Sequence, residues 1–165
     1  MRPQALSARR LGLGLVGLTA LGLALVPRWD LTRLSEGSAE RSEVELLFVQ
    51  PGRDATLTVS RTRDARPVTV LRTDGKGDAS DFADVPTQVS SGLLPLLFHP
   101  DPRDVLVVGL ASGTTCGSIL KDPRVQRMDI LEIEQAMVTA SHFFDHMNGR
   151  PLEDKRSHLF ELDAR

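Results

Sequence analysis

The stretch DVLVVGLASGTTCGSIL, residues 104–120, decides the fold. It begins with a continuous apolar run, VLVVG (105–109), of the kind expected for a strand buried on both faces of a parallel sheet. A turn rich in glycine, serine and threonine follows, and the helix-like segment TTCGSIL (114–120) comes directly after it. A strand, a glycine turn and a helix in this order direct backbone N–H groups and the positive end of the helix dipole toward a bound anion or nucleotide.

The segments beyond the turn repeat the alternation of strand and helix. VQRMDILEIE (125–134) predicts a strand, QAMVTASHFFDHM (135–147) predicts a helix, and SHLFELDAR (157–165) predicts a third strand. This order is that of a doubly wound parallel sheet of the α/β class. With three strands we expect an incomplete sheet, with unpaired edges and an uncovered apolar face, and therefore a homodimer or a partner that completes it.

The segments before the turn predict a second, smaller unit. Three runs rich in β-branched residues predict strands of an antiparallel meander: VELLFVQ (44–50), ATLTVSRT (55–62) and PVTVLRT (67–73). The Gly- and Asp-rich TDGKGDASDFADV (73–85) predicts a loop, and PTQVSSGLLPLLF (86–98) predicts a short helix. We therefore expect a small β domain at 43–84 and a partial nucleotide-binding domain at 85–165.

The first 29 residues have the pattern of a membrane helix or of a signal-like segment. Leu11 to Val26 carry no charge, but sixteen helical residues span only about 24 Å, short of a hydrocarbon core of about 30 Å. Arginines at 2, 9 and 10 precede this run, which also fits a secretory signal. The polar residues 30–42 are interpreted as a linker.

Composition argues against several other classes of function. With 20 basic and 22 acidic residues the net charge is −2, so no attraction to nucleic acid is expected. The only cysteine, Cys116, excludes an intrachain disulfide, and a buried thiol is favoured over a nucleophile. His142 and His146 have i, i+4 spacing, but without a third ligand they indicate a surface pair, so no metal is predicted.

The glycines of the turn do not follow the dinucleotide fingerprint. G-x-G-x-x-G would need glycine at positions 111 and 114, where this chain has Ala111 and Thr114. The spacing Gly109-x-Ala111-x-Gly113 matches instead the looser turn of S-adenosyl-type nucleotide sites.

Acidic residues follow the next two strands. Glu132 and Glu134 lie 19 and 21 residues beyond Gly113, where a carboxylate at a strand's carboxyl end can accept both ribose hydroxyls. Asp163 ends the third strand, where an adenine amino group could be bound. The alternative is that Glu134 and Asp163 are helix N-caps or solvated strand ends.

Together these segments resemble the spermidine synthase (polyamine aminopropyltransferase) family. The resemblance spans about residues 27–165 and is most specific in the β-meander, in DGKGDAS (74–80) and in LLPLLFHPDP (93–102). It is greatest to the bacterial branch in which the synthase-like domain follows membrane helices. It implies a Rossmann-like sheet of the S-adenosylmethionine-methyltransferase type and membrane association. The arginines before the apolar run favour a cytoplasmic N-terminus, which for a single crossing would place the domain outside, but the co-substrate is made inside the cell, so we expect the soluble domain on the cytoplasmic face.

The resemblance also implies an activity, a co-substrate and site residues. The activity is aminopropyl transfer from decarboxylated S-adenosylmethionine to a diamine such as putrescine. The residues implied to bind the nucleotide are Gly109, Ala111, Gly113, Glu132, Glu134, Asp163 and Ala164, and those implied on the substrate side are Asp84 and Gln88.

The chain departs from the family at several positions. Thr87, Val89 and Leu93 stand where these synthases usually carry Tyr, Glu and His, and the family's catalytic acid lies beyond the strand that ends in Asp163. No catalytic residue is therefore assigned, and weak or absent activity is expected for the chain alone, as a C-terminally truncated member. Two alternatives stay open: a small-molecule methyltransferase that uses S-adenosylmethionine, and a non-catalytic, membrane-anchored nucleotide-binding or interaction module.

Overall fold

The computed structural model describes residues 16, 18, 19 and 44–164. The predicted membrane or signal segment, apart from three residues, and the predicted linker lie outside these residues. No helix within the described part is long and apolar enough to cross a membrane. Residues 44–164 all lie within one compact unit, so the domain boundary at 84/85 stays a prediction.

Four antiparallel strands form the first sheet, in the order β1-β2-β3-β4. They are β1 (Val44–Pro51), β2 (Thr56–Thr62), β3 (Thr69–Thr73) and β4 (Lys76–Ser80). The first three confirm the predicted meander. Leu57, Val59 and Leu71 are fully buried and contribute this sheet's side of the core.

The fourth strand corrects the prediction of a loop over 73–85. Thr73 pairs with Lys76, so only Asp74 and Gly75 form the turn, with φ of 49° and 79°. Two central residues at positive φ are typical of a tight β-hairpin turn, for which Asp-Gly is a preferred pair. The hairpin geometry therefore outweighs the unfavourable composition of KGDAS.

A helix, α1 (Val85–Phe98), follows the sheet and confirms the predicted helix, one residue earlier than expected. Pro86 lies in its first turn, where a missing N–H has no consequence, and Pro95 lies inside the helix. The backbone N–H of His99 still bonds to the Pro95 carbonyl at 3.0 Å and ends the helix. Gly92 lies against α2 (Thr114–Ile119), because a Cβ there would be 2.7 Å from the Thr115 carbonyl oxygen.

The second sheet is parallel, with the order β5-β6-β7, as the alternation of strands and helices predicts. Its strands are β5 (Asp104–Val108), β6 (Arg127–Glu132) and β7 (Ser157–Glu161). β7 ends four residues before the predicted boundary at 165. Its partner β6 ends at Glu132, opposite Glu161, and the Leu162 N–H then bonds to the Glu132 carbonyl at 3.2 Å.

The predicted helix over 135–147 is broken into three pieces. They are α3 (Gln135–Ser141), a 3-10 turn (His142–Phe144) and α4 (Asp145–Asn148). The carbonyl of Ser141 accepts a hydrogen bond from the side-chain amide of Asn148, at 3.1 Å. Phe144 is fully buried, so the break directs a large side chain into the core.

The prediction that β5 is buried on both faces is wrong. Val107 lies in the core, but Leu106 and Val108, on the opposite face, are 61% and 65% exposed. The buried face packs in the same core as Ile130 of β6 and Phe144. Among the described residues, therefore, no element covers the other face of β5.

Candidate nucleotide-binding site

The glycine turn, defined here as residues 109–113, has the left-handed backbone that its glycines allow. Gly109 and Gly113 have φ of 86° and 77°, and Ala111 adopts 47° although it carries a side chain. The Gly109 N–H bonds to the Leu131 carbonyl at 2.8 Å, which fixes the start of the turn on β6. A Cβ at Gly109 would meet nothing within 4 Å, so the space in front of the turn is open to a ligand.

Glu132 lies at the carboxyl end of β6 and is only 5% exposed. Its two oxygens accept different backbone donors: Oε2 accepts the Leu110 N–H at 2.8 Å, and Oε1 accepts the Glu134 N–H at 2.9 Å. Each carboxylate oxygen has a second lone pair for a further hydrogen bond. The side chain is thus held against the glycine turn and still has acceptor capacity for hydroxyl groups.

Asp163 and Ala164 follow β7 at the same edge of the sheet and are exposed. The Leu162 N–H bond to the Glu132 carbonyl brings this segment beside the end of β6. The structure therefore brings together the glycine turn, Glu132 and the segment with Asp163, because the carboxyl ends of parallel strands share one edge.

Glu134 is buried, but its carboxylate contacts another part of the chain. It accepts the backbone N–H groups of Arg53, Asp54 and Ala55, at 2.6 to 3.2 Å. By position it is the N-cap of α3, yet its side chain makes no capping bond. Glu134 thus has the N-cap position without the capping bond, its carboxylate binds the chain at residues 53–55, and its role toward a nucleotide stays a prediction.

Asp84 and Gln88 belong to a hydrogen-bonded network between β4 and the glycine turn. The Gln88 amide nitrogen donates to the Ser80 carbonyl at 2.9 Å and to Asp84 Oδ2 at 2.8 Å. The Gln88 amide oxygen accepts the Ser112 hydroxyl. Asp84 also accepts the hydroxyl and the backbone N–H of Ser80. Both predicted substrate-side residues thus have structural partners.

Asn148 is a residue of this region that the sequence did not predict. It is buried, and its amide nitrogen donates to the Ser112 carbonyl at 2.9 Å as well as to Ser141. Its side-chain oxygen accepts the Arg150 N–H at 2.8 Å. In the sequence, the pair Asn148-Gly149 is typical of a turn and indicates nothing more. The contact of Asn148 with the glycine turn joins residues 36 positions apart, so no local pattern reveals it.

The two histidines contact different carboxylates. His142 Nδ1 lies 3.3 Å from Asp145, and His146 Nε2 lies 3.2 Å from Asp81 of the β4–α1 connection. Within the described part of the chain, no group of three His, Cys, Asp or Glu side chains could hold a metal ion.

Cys116 is fully buried in α2, and burial raises the pKa of its thiol to about 12. The ordinary thiol value is about 8.5, so at pH 8 we expect native Cys116 to react with Ellman's reagent on the order of a thousandfold more slowly than in urea. Absorbance at 412 nm measures both rates on the same sample. Prompt labelling of the native protein would contradict a buried thiol.

Comparisons with known proteins agree with this geometry. Residues 92–164 match the family model described as the spermine/spermidine synthase domain. Polyamine aminopropyltransferases of Clostridium tetani and Leptospira biflexa are 37% and 39% identical over 72 and 73 residues, which are 43% and 44% of this chain and 26% of each relative. The chain thus spans about a quarter of the length of these curated relatives.

Solved structures give the same result for the fold. Spermidine synthase from Thermotoga maritima superposes with a TM-score of 0.65 at 17% identity, over 72% of this chain and 41% of that one. A spermidine synthase in complex with the transition-state analogue AdoDATO gives 0.64 at 17% identity, over 71% and 39%.

The parallel sheet, the glycine turn and the acidic strand ends define the class as a methyltransferase-like α/β fold. Within that class, residues 92–164 match the spermine/spermidine synthase domain and the polyamine aminopropyltransferases, which confirms the resemblance found in the sequence. The finer resemblance to the membrane-fused branch stays a prediction.

Proposed function

We propose that this chain binds the thioadenosine part of decarboxylated S-adenosylmethionine and takes part in aminopropyl transfer to a diamine. The observation that carries the proposal is the Glu132 carboxylate, which is buried and held between the Leu110 and Glu134 N–H groups at the edge of the sheet. Its remaining lone pairs can accept the two ribose hydroxyls. The glycine turn would border the tail of the ligand, and Asp163 with Ala164 would border the adenine.

The residues of the site fit such a ligand in their chemistry. Neutral hydroxyls need acceptors, which Glu132 supplies, and the open space before Gly109 leaves room for the sulfonium tail. The co-substrate supplies an electrophilic carbon next to a positively charged sulfur. An amine lone pair forms a bond to that carbon, the carbon–sulfur bond breaks, methylthioadenosine leaves, and the new ammonium loses a proton.

The chain's own contribution is to hold the nucleoside in place for an in-line attack. Gln88 contacts the glycine turn at Ser112 and also bonds to Asp84, and we place the diamine beside these two residues. Their polar atoms already bond to Ser80 and Ser112, so they would shape the substrate side more than they would bind charge there. We assign the catalytic acid to none of the described residues.

The test is calorimetric titration of the full chain with 5′-methylthioadenosine. We expect saturable one-to-one binding, and an affinity at least about tenfold lower for Glu132→Gln, equivalent to about 1.4 kcal/mol. Glu161→Gln is the matched control, because Glu161 is the exposed register partner of Glu132 on β7 and its loss removes the same charge. This control should bind as the wild type does.

A second titration separates the reactions. Tighter binding of decarboxylated than of carboxylated S-adenosylmethionine would support aminopropyl transfer, and the reverse order would favour methyl transfer. A folded wild-type chain that binds none of these nucleosides would contradict the proposal.

A further inference from the structure

The contacts of Glu134 carry an inference that the proposed function does not use. Its side chain is buried, and its carboxylate accepts three consecutive backbone N–H groups: Arg53 at 2.8 Å, Asp54 at 2.6 Å and Ala55 at 3.2 Å. Successive N–H groups of a turn form a concavity that binds anions, and hydrogen bonds to a charged acceptor are the stronger kind. Glu134 therefore anchors the β1–β2 turn, defined as residues 52–55, although 80 positions separate it from Asp54.

The fit between the carboxylate and the β1–β2 turn is close. A Cβ on Gly52 would lie 2.0 Å from Glu134 Oε2 and 2.8 Å from the Ala55 carbonyl oxygen. That carbonyl accepts the Gly52 N–H at 2.7 Å, which closes the turn around the carboxylate. Glycine is thus required at position 52 for the approach of Glu134.

The backbone of the same residue faces the nucleoside site. The Glu134 N–H donates to Glu132 Oε1 at 2.9 Å, while Glu132 Oε2 accepts the Leu110 N–H of the glycine turn at 2.8 Å. A continuous series of hydrogen bonds therefore joins the β1–β2 turn to Glu134, Glu134 to Glu132, and Glu132 to the glycine turn.

We propose that Glu134 is a positioning residue that couples the β1–β2 turn to the nucleoside site. Its carboxylate fixes the turn, and its backbone N–H thereby holds Glu132 in the orientation that binds ribose. This inference rests on the proposed function for its ligand, but the coupling itself is a property of the free protein.

The coupling is tested first without ligand, by amide hydrogen exchange measured by NMR in the full chain. Glu134→Gln removes the charge and replaces one of the two acceptor oxygens with an NH₂ that cannot accept an N–H, so the amides of Arg53, Asp54 and Ala55 should exchange at least about tenfold faster. The Leu110 amide should accelerate with them, while Ile130 in the core of β6 should not change. Glu45→Gln, which removes an exposed charge on β1, is the matched control and should change none of them.

A second variant keeps the test decisive where Glu134→Gln does not fold. Glu134→Asp retains the charge on a side chain one methylene shorter, and we expect intermediate exchange rates at the same four amides. Faster exchange confined to residues 53–55, with Leu110 unchanged, would overturn the coupling in either variant.

Binding is the second readout. If the wild type binds 5′-methylthioadenosine, Glu134→Gln should weaken it about tenfold, and Glu45→Gln should not. If Glu134→Gln binds 5′-methylthioadenosine as tightly as the wild type although the amides of residues 53–55 exchange faster, Glu134 does not position the nucleoside site. A wild type that does not bind the nucleoside contradicts the proposed function, and the exchange of Leu110 then decides the coupling by itself.

Discussion

Replacing Gly117 by alanine should destabilise the protein by about 3 kcal/mol or more, the upper end of the usual cost of overpacking. A Cβ at this position of α2 would lie 1.7 Å from the Asn148 carbonyl oxygen and 2.8 Å from its carbonyl carbon. These are backbone atoms and cannot move aside by a rotamer change, so α2 or α4 must shift. In the interior of a solvent-exposed helix, a change from glycine to alanine stabilises the protein by up to about 1 kcal/mol. At Gly117 the contact with Asn148 makes the same change destabilising.

Urea unfolding followed by circular dichroism measures this effect. Gly77→Ala in β4 is the matched control, because its nearest neighbour is the Val70 Cγ1 atom at 3.9 Å and the residue does not have positive φ. We expect the control to change stability by less than about 1 kcal/mol. A Gly117→Ala midpoint equal to that of the wild type would mean that α2 and α4 do not touch as described.

The parts of the site that neighbouring residues create were predictable from the sequence. Gly109 and Gly113 follow an apolar run directly, and their positive φ is what a strand-to-helix turn requires. Glu132 was predictable because a carboxylate seldom ends a buried apolar strand unless a donor or a ligand pairs with it. The Asp74-Gly75 hairpin was predictable in principle, but the composition of the following KGDAS obscured it.

The contacts between distant segments were not predictable. The anchoring of the β1–β2 turn by Glu134 and the Asn148 bond to Ser112 depend on how the two sheets and the helices meet. Likewise, the apolar run of β5 shows only that the side chains on both faces are apolar enough to be buried. Which face is covered depends on the placement of other elements, so the exposure of Leu106 and Val108 required the structure.

The network at Gln88 gives the second large effect. Gln88→Glu replaces the donor that bonds to Asp84 and to the Ser80 carbonyl with a carboxylate of nearly the same shape. With the introduced carboxyl ionised, two donor bonds become repulsive contacts, and we expect a loss of about 2 kcal/mol in the free energy of unfolding. The neighbouring carboxylate raises the pKa of the introduced carboxyl in the folded protein above its ordinary value of about 4.3.

The sign of the pH dependence follows from that shift. Because the folded variant binds the proton more tightly than the unfolded chain does, its stability relative to wild type falls as pH rises above about 4.3 and levels off beyond the raised pKa. Urea midpoints measured from pH 4.5 to 8 should therefore diverge from those of the wild type with increasing pH. Thr87→Glu adds the same charge at an exposed position in the first turn of α1, where the helix dipole favours a carboxylate, and should not lower the urea midpoint increasingly with pH. A stability loss of Gln88→Glu that does not change with pH would show that the Gln88 amide does not donate to the Asp84 carboxylate. The link from β4 to the glycine turn would then run through other residues.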